Sequence, residues 1–142
     1  MFGNLFNNKN NLNLLIFSII LLIIDQVSKA MIVSQFDLYE SMSVAPFFNL
    51  TFVVNYGFAF GFLNSPSLNQ IIVSIVILSI IIYFLYLLIK TQDHFFKICL
   101  VLILSGAVGN FLDRIFRGYV VDFIDIMYLN IIGRHLILLI AV

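Results

Sequence analysis

The chain has 142 residues, of which 63% are hydrophobic and 10% charged, with seven Lys and Arg against seven Asp and Glu and a net charge of zero. A soluble domain carries about 25% charged residues and a nucleic-acid binder carries a basic footprint, so the composition excludes both and makes a bilayer the main solvent. Cys99, the single cysteine, stands inside an apolar run, which excludes disulfide scaffolds and cysteine-rich metal sites and leaves it a packing role.

In chain order, residues 1–13 are Asn-rich with one basic residue, Lys9. No small-residue cleavage site follows the first apolar run, 12–33, which therefore reads as a retained helix. Further apolar runs cover 71–89, 95–112 and 131–142. A span needs about 20 residues, so the first three can cross and the fourth reads as a helix cut short. The expected fold is an all-α membrane protein: a single membrane-embedded domain over 1–142 with four transmembrane helices, the fourth truncated, and a small exported β-containing loop over 34–70. Short cytoplasmic loops carry the excess of Lys and Arg. Lys9 precedes the first helix and Lys90, His94 and Lys97 lie between the second and third, whereas 34–70 has no Lys or Arg; both termini should face the cytoplasm and the loop outward. Within that loop, 47–54 alternates β-branched and aromatic residues and is followed by Gly57 and Gly61, as a short twisted sheet on the membrane surface requires. Pro46 and the group Asn64, Ser65 and Pro66 supply the turn chemistry at its ends. The patch 120–129, holding Asp122 and Asp125, reads as the start of the fourth helix.

Ionisable groups at membrane depth are costly unless paired or hydrated, and each is a functional candidate. Asp25 and Lys29, in Asp25-Gln26-Val27-Ser28-Lys29, are spaced i,i+4 on one helix face and can neutralise each other; a structural ion pair and a substrate-binding role are both open. Asn55, in Asn55-Tyr56-Gly57-Phe58-Ala59-Phe60, offers donors and an acceptor that suit either an ordinary turn or the grip of a substrate backbone. Small residues at Ser105, Gly106 and Gly109 suit close helix contact in lipid. Asn110 and Arg114 follow at i,i+4, with Asp113 beside them. Asp113 reads as a counter-ion to Arg114, and Arg114 as a helix-end anchor, a carboxylate-positioning group or a clamp on nearby backbone. Asp122 and Asp125 set two carboxylates three apart in an apolar setting. Carboxyls sharing a proton are what aspartic protease chemistry requires, one ionised to deprotonate water and one protonated to polarise the carbonyl; a capping or surface role for Asp125 stands beside that reading.

The ordered blocks Asp-Gln-x-x-Lys, Asn-x-Gly-x-Ala-Phe, Gly-x-x-Gly-Asn-x-x-Asp-Arg and Val-Val-Asp-Phe resemble those of the lipoprotein signal peptidase family, also called type II signal peptidase. The resemblance runs from the first helix to Asp125. It implies an aspartic endopeptidase of the bacterial inner membrane that cleaves prolipoproteins just before a diacylglyceryl-modified cysteine, with no metal or cofactor. It implies that Asp122 is the first catalytic aspartate and that Asp25, Lys29, Asn55, Asn110 and Arg114, with Asp113 beside them, line or support the site.

The family's second catalytic aspartate lies in a Phe-Asn-x-Ala-Asp block on the last helix, which this sequence lacks. After His135 it reads Leu136-Ile137-Leu138-Leu139-Ile140-Ala141. A family-like His-Phe-Asn-Ile-Ala-Asp-Ser written CAT TTT AAT ATT GCT GAT AGC becomes CAT TTA ATA TTG CTG ATA GC on loss of one T. That frame translates as the observed run from His135 to Ala141. A frameshift at a homopolymer, real or from sequencing, is therefore expected, with the missing aspartate at position 140; if Asp125 or Asp113 cannot substitute, the chain as written is expected to bind poorly or not cleave. The reading from a different class is a non-catalytic membrane binding protein or small transport subunit in which Asp25, Lys29 and Arg114 line a polar path.

Overall fold

A computed structural model describes residues 9–57, 69–128 and 136–139. The apolar runs become α1 (Lys9–Gln35), α2 (Asn69–Lys90) and α3 (His94–Arg117), each long and apolar enough to cross a membrane. At about 1.5 Å per residue even the shortest exceeds the ~30 Å hydrocarbon core. Ile16, Ile19, Ile23, Ile72, Ile75 and Ile103 are exposed while Lys29, Asp113 and Asp122 are buried. Polar groups inside and apolar groups outside are the inverse of a water-soluble domain and fit a lipid surround.

Helix α3 has well-defined ends. Asp93 caps its start by accepting hydrogen bonds from the Phe95 and Phe96 amides, and Gly118, at φ 78°, ends it in the left-handed conformation, donating its N–H to the Arg114 carbonyl. A β-carbon disfavours that backbone. The helix therefore runs past the expected end at 112 and adds one more turn, carrying Asp113, Arg114 and Arg117.

Strands β1 (Ser41–Ala45), β2 (Phe48–Asn55), β3 (Val120–Tyr128) and β4 (Leu136–Leu139) form one antiparallel sheet in the order β1-β2-β3-β4. The expected strand at 47–54 is β2, with Pro46 in the turn before it; Gly61, Asn64, Ser65 and Pro66 lie outside the described residues. Two expectations are corrected. Residues 120–128 are a strand rather than the start of a helix, because Gly118 stops α3 and the Val-, Ile- and aromatic-rich sequence pairs with β2 along its length. Leu136–Leu139 is likewise a strand, registered on β3, whereas a helix was expected over 131–142. The run is short of the ~20 residues a span requires, and the edge of β3 offers backbone partners. The rest of 131–142 lies outside the described residues.

Polar contacts fix how the helices lie. Lys97 donates to Asn11 at 3.2 Å, Ser105 to Ser18 at 3.4 Å and Lys29 to Asn110 at 2.9 Å, so α1 and α3 run parallel, and the short link 91–93 returns α2 antiparallel to α3. The sheet packs at the C-terminal end of α1, where Ile32, Phe52 and Val121 form a buried cluster with Phe36 and Phe123 against it.

Candidate active site

The C-terminal halves of α1 and α3 are joined by charge. Lys29, 1% exposed, lies 3.0 Å from Asp25 and 2.9 Å from the fully buried Asp113, and donates to the Asn110 side chain. Asp113 also pairs with Arg117 one turn on, receives Gln26 at 3.4 Å and receives the Val121 amide at 3.4 Å. The direct ion pairs of Asp113 are thus with Lys29 and Arg117 rather than with its neighbour Arg114, and it ties the root of β3 to the bundle. Gly109 permits the approach: a β-carbon there would overlap the Asp25 carboxylate, and its carbonyl accepts from Gln26 at 3.2 Å. The small-residue stretch read for helix packing serves a polar seam.

Arg114 takes the backbone-clamping role. It donates to the Gly57 carbonyl at 2.7 Å and to the Asn110 carbonyl at 3.1 Å, fastening the end of β2 to α3. Gly57 in turn donates its N–H to the Asn55 side-chain oxygen at 2.8 Å, and the Asn55 NH2 group donates to Asp122 at 2.9 Å. Because the Asn55 oxygen is taken by an amide donor, its NH2 must face the carboxylate. Asn55 therefore makes the turn and grips a group at once, and that group is Asp122.

Asp122, on β3 outside the spanning helices, is 5% exposed. Burial pushes its carboxyl above the ordinary carboxylate range, the Asn55 hydrogen bond and the charges of Lys29 and Arg114 pull it back, and Asp113 pushes it up again. Asp125 is not the partner of Asp122. Residues three apart on a strand point to opposite faces, and Asp125 instead receives Asn49 at 3.3 Å and Thr51 at 3.1 Å. Among the described residues no carboxyl is hydrogen-bonded to Asp122.

The structure brings Asp25, Lys29, Asn110, Asp113, Arg114, Asn55 and Asp122 to one end of the bundle. Sequence reasoning missed Arg117, Gln26 and Asn49. Arg117 was legible from its i,i+4 spacing to Asp113; Asn49 carried no local signal, since its role comes from β-register with Asp125.

With that geometry in hand, comparison with known proteins is decisive. The family described as signal peptidase (SPase) II matches residues 17–137. The chain belongs to the signal peptidase II family. It is 40% identical over 121 residues to the lipoprotein signal peptidase of Pasteurella multocida strain Pm70, covering 83% of this chain and 73% of that protein. It is 39% identical over 123 residues to that of Haemophilus influenzae strain KW20, covering 84% and 71%. Two solved structures described as bacterial membrane enzymes superpose with TM-scores of 0.75 at 34% identity and 0.68 at 31% identity. The first covers 91% of this chain and 77% of that one, and the second 89% and 81%. Members of this family are aspartic peptidases of the bacterial inner membrane that act on lipoprotein precursors.

Proposed function

We propose that Asp122 is one half of the catalytic carboxyl pair of a membrane signal peptidase that removes signal peptides from prolipoproteins, cutting ahead of a diacylglyceryl-modified cysteine. The observation that carries this reading is the setting of Asp122: a buried carboxyl oriented by Asn55, which is itself oriented by the Gly57 amide, beside the Gly57 carbonyl that Arg114 holds in place. In such a pair one carboxyl is ionised and takes a proton from water while the other is protonated and polarises the scissile carbonyl. Asp25, Lys29, Asn110, Asp113 and Arg114 are positioning residues in this scheme. They fix the root of β3 and the end of β2 relative to α3. The sheet then lies on the outer face of the membrane, and Lys9, Lys90, His94 and Lys97 mark the cytoplasmic side, on which both termini lie.

The partner carboxyl belongs at position 140, displaced by the one-base loss that accounts for the run from His135 to Ala141. One observation supports this: the family match ends at residue 137, just past His135. One carboxyl cannot serve as base and acid in one step. Unless Asp125 or Asp113 completes the pair, the chain as written should bind prolipoprotein poorly or fail to cleave it, and a non-catalytic membrane binding protein is the second reading of the product. The test is cleavage of a diacylglyceryl-modified prolipoprotein in detergent by the chain as written and by a frame-restored version with Leu136→Phe, Ile137→Asn, Leu138→Ile, Leu139→Ala and Ile140→Asp followed by the restored reading frame. Activity in the restored form alone supports the lesion. Activity in the chain as written would show that another group completes the pair.

A further inference from the structure

At the end of the bundle opposite Asp122, the three helices do not close. A cavity of about 430 Å³ lies between them, walled by apolar side chains that include Leu14, Leu85, Val101 and Leu104. Sites for small molecules run from about 300 to 1,000 Å³. It extends along α3 from Lys97 to Val108, about 17 Å at ~1.5 Å per residue. Its walls fit a hydrocarbon chain lying parallel to the helices.

The mouth is cationic. Lys97 lines it, half-buried, with Asn11 as its hydrogen-bond partner. Among the described residues, which include every Asp and Glu of the chain, no carboxylate pairs with Lys97. Lys9, Lys90 and His94 start or end helices at the same level, and the one acid there, Asp93, caps α3 and is outnumbered by Lys9, Lys90 and Lys97. A cation at a membrane interface beside an open apolar slot lacks one component, an anion carrying a hydrocarbon tail. Basic pockets between transmembrane helices take anionic lipid head groups in this way.

We propose that this cavity binds one anionic phospholipid, its acyl chain between α1, α2 and α3 and its phosphate on Lys97. The charge argues against other occupants. A signal helix brings a basic flank to the cytoplasmic side, which Lys97 repels. The described part of the chain's own tail, Leu136–Leu139, is held on β3 at the other end of the molecule. The site lies apart from the proposed chemistry and is proposed for the chain as written.

The test uses the full chain purified in a neutral detergent, with phosphatidylglycerol and phosphatidylcholine of identical acyl chains, and counts retained lipids by native mass spectrometry. One phosphatidylglycerol should be retained in preference. Lys97→Ala should reduce that preference about fivefold, the worth of one basic residue near a lipid surface. Leu85→Trp should displace both lipids; Leu85 is 44% exposed, so the variant fills the slot from its open side, and circular dichroism checks that the helices persist. Equal retention of the two lipids, or retention unchanged by Leu85→Trp, would overturn the proposal by showing only annular lipid. Displacement of the bound lipid by a synthetic signal helix would overturn it by assigning the slot to substrate.

Discussion

The seam between α1 and α3 is built differently at its two ends. Near Lys97 the helices touch through Asn11 and through the Ser18–Ser105 hydroxyls and stand apart enough to leave an apolar cavity. Near Lys29 they are drawn together until Gly109 has no room for a β-carbon, and the contact is made by Asp25, Lys29, Asp113 and Arg117. Lipid gives no hydrophobic drive for helix association, so packing and polar contacts decide where helices close. The tight end carries the sheet and Asp122, the carboxyl proposed for chemistry. The loose end leaves room for a hydrocarbon chain.

Lys29→Met should break this contrast most severely. It leaves the buried Asp113 and the partly buried Asp25 without their shared cation, a loss of about 3–5 kcal/mol for a buried pair stripped of one partner, read as a large fall in the thermal midpoint in detergent. Gly109→Ala should follow at about 1–3 kcal/mol, the cost of overpacking a tight contact, with cleavage by the frame-restored chain falling alongside. At the loose end a truncation in the cavity wall, Leu15→Ala, should shift the thermal midpoint much less, since Leu15 is 42% exposed, and equal effects at both positions would erase the comparison. Asn55→Ala should act more gently on stability and more specifically on function. Its hydrogen bond lowers the proton affinity of Asp122, so its removal should move the Asp122-dependent limb of the pH–rate profile to higher pH. A shift to lower pH, or none, would separate Asn55 from the titrating group.

Much of the tight end was legible in the sequence because helical spacing is a local rule. Asp25–Lys29 at i,i+4 announced an ion pair and the glycines before Asn110 a close helix contact; both are there, and the contact turns out to be polar. The distribution of apolar runs gave the three helices within a few residues. What was not legible came from pairing across the chain. Residues 120–128 are apolar enough for a helix, and only the left-handed Gly118 together with the register on β2 makes them a strand. With that strand, Asp125 turns away from Asp122, which spacing alone left undecided. The partners of Asp113 were misjudged for a related reason: adjacency suggested Arg114, but adjacent residues on a helix do not face each other, while Arg117 does.

The central claim is that Asp122 is held for chemistry while Asp113 is held for structure, and Asp122→Asn in the frame-restored chain tests it most directly. Burial leaves the folded state binding the Asp122 proton more tightly than the unfolded state. Between the ordinary carboxylate value and the raised one the native protein therefore carries more protons, and its stability declines as pH rises through that window. The Asn variant lacks this titration, so near neutral pH its thermal midpoint should equal or exceed that of the parent while cleavage of prolipoprotein falls at least about a thousandfold. Cleavage retained within about tenfold, or a collapse of the thermal midpoint with the loss of activity, would contradict the account and make Asp122 a structural carboxylate like Asp113.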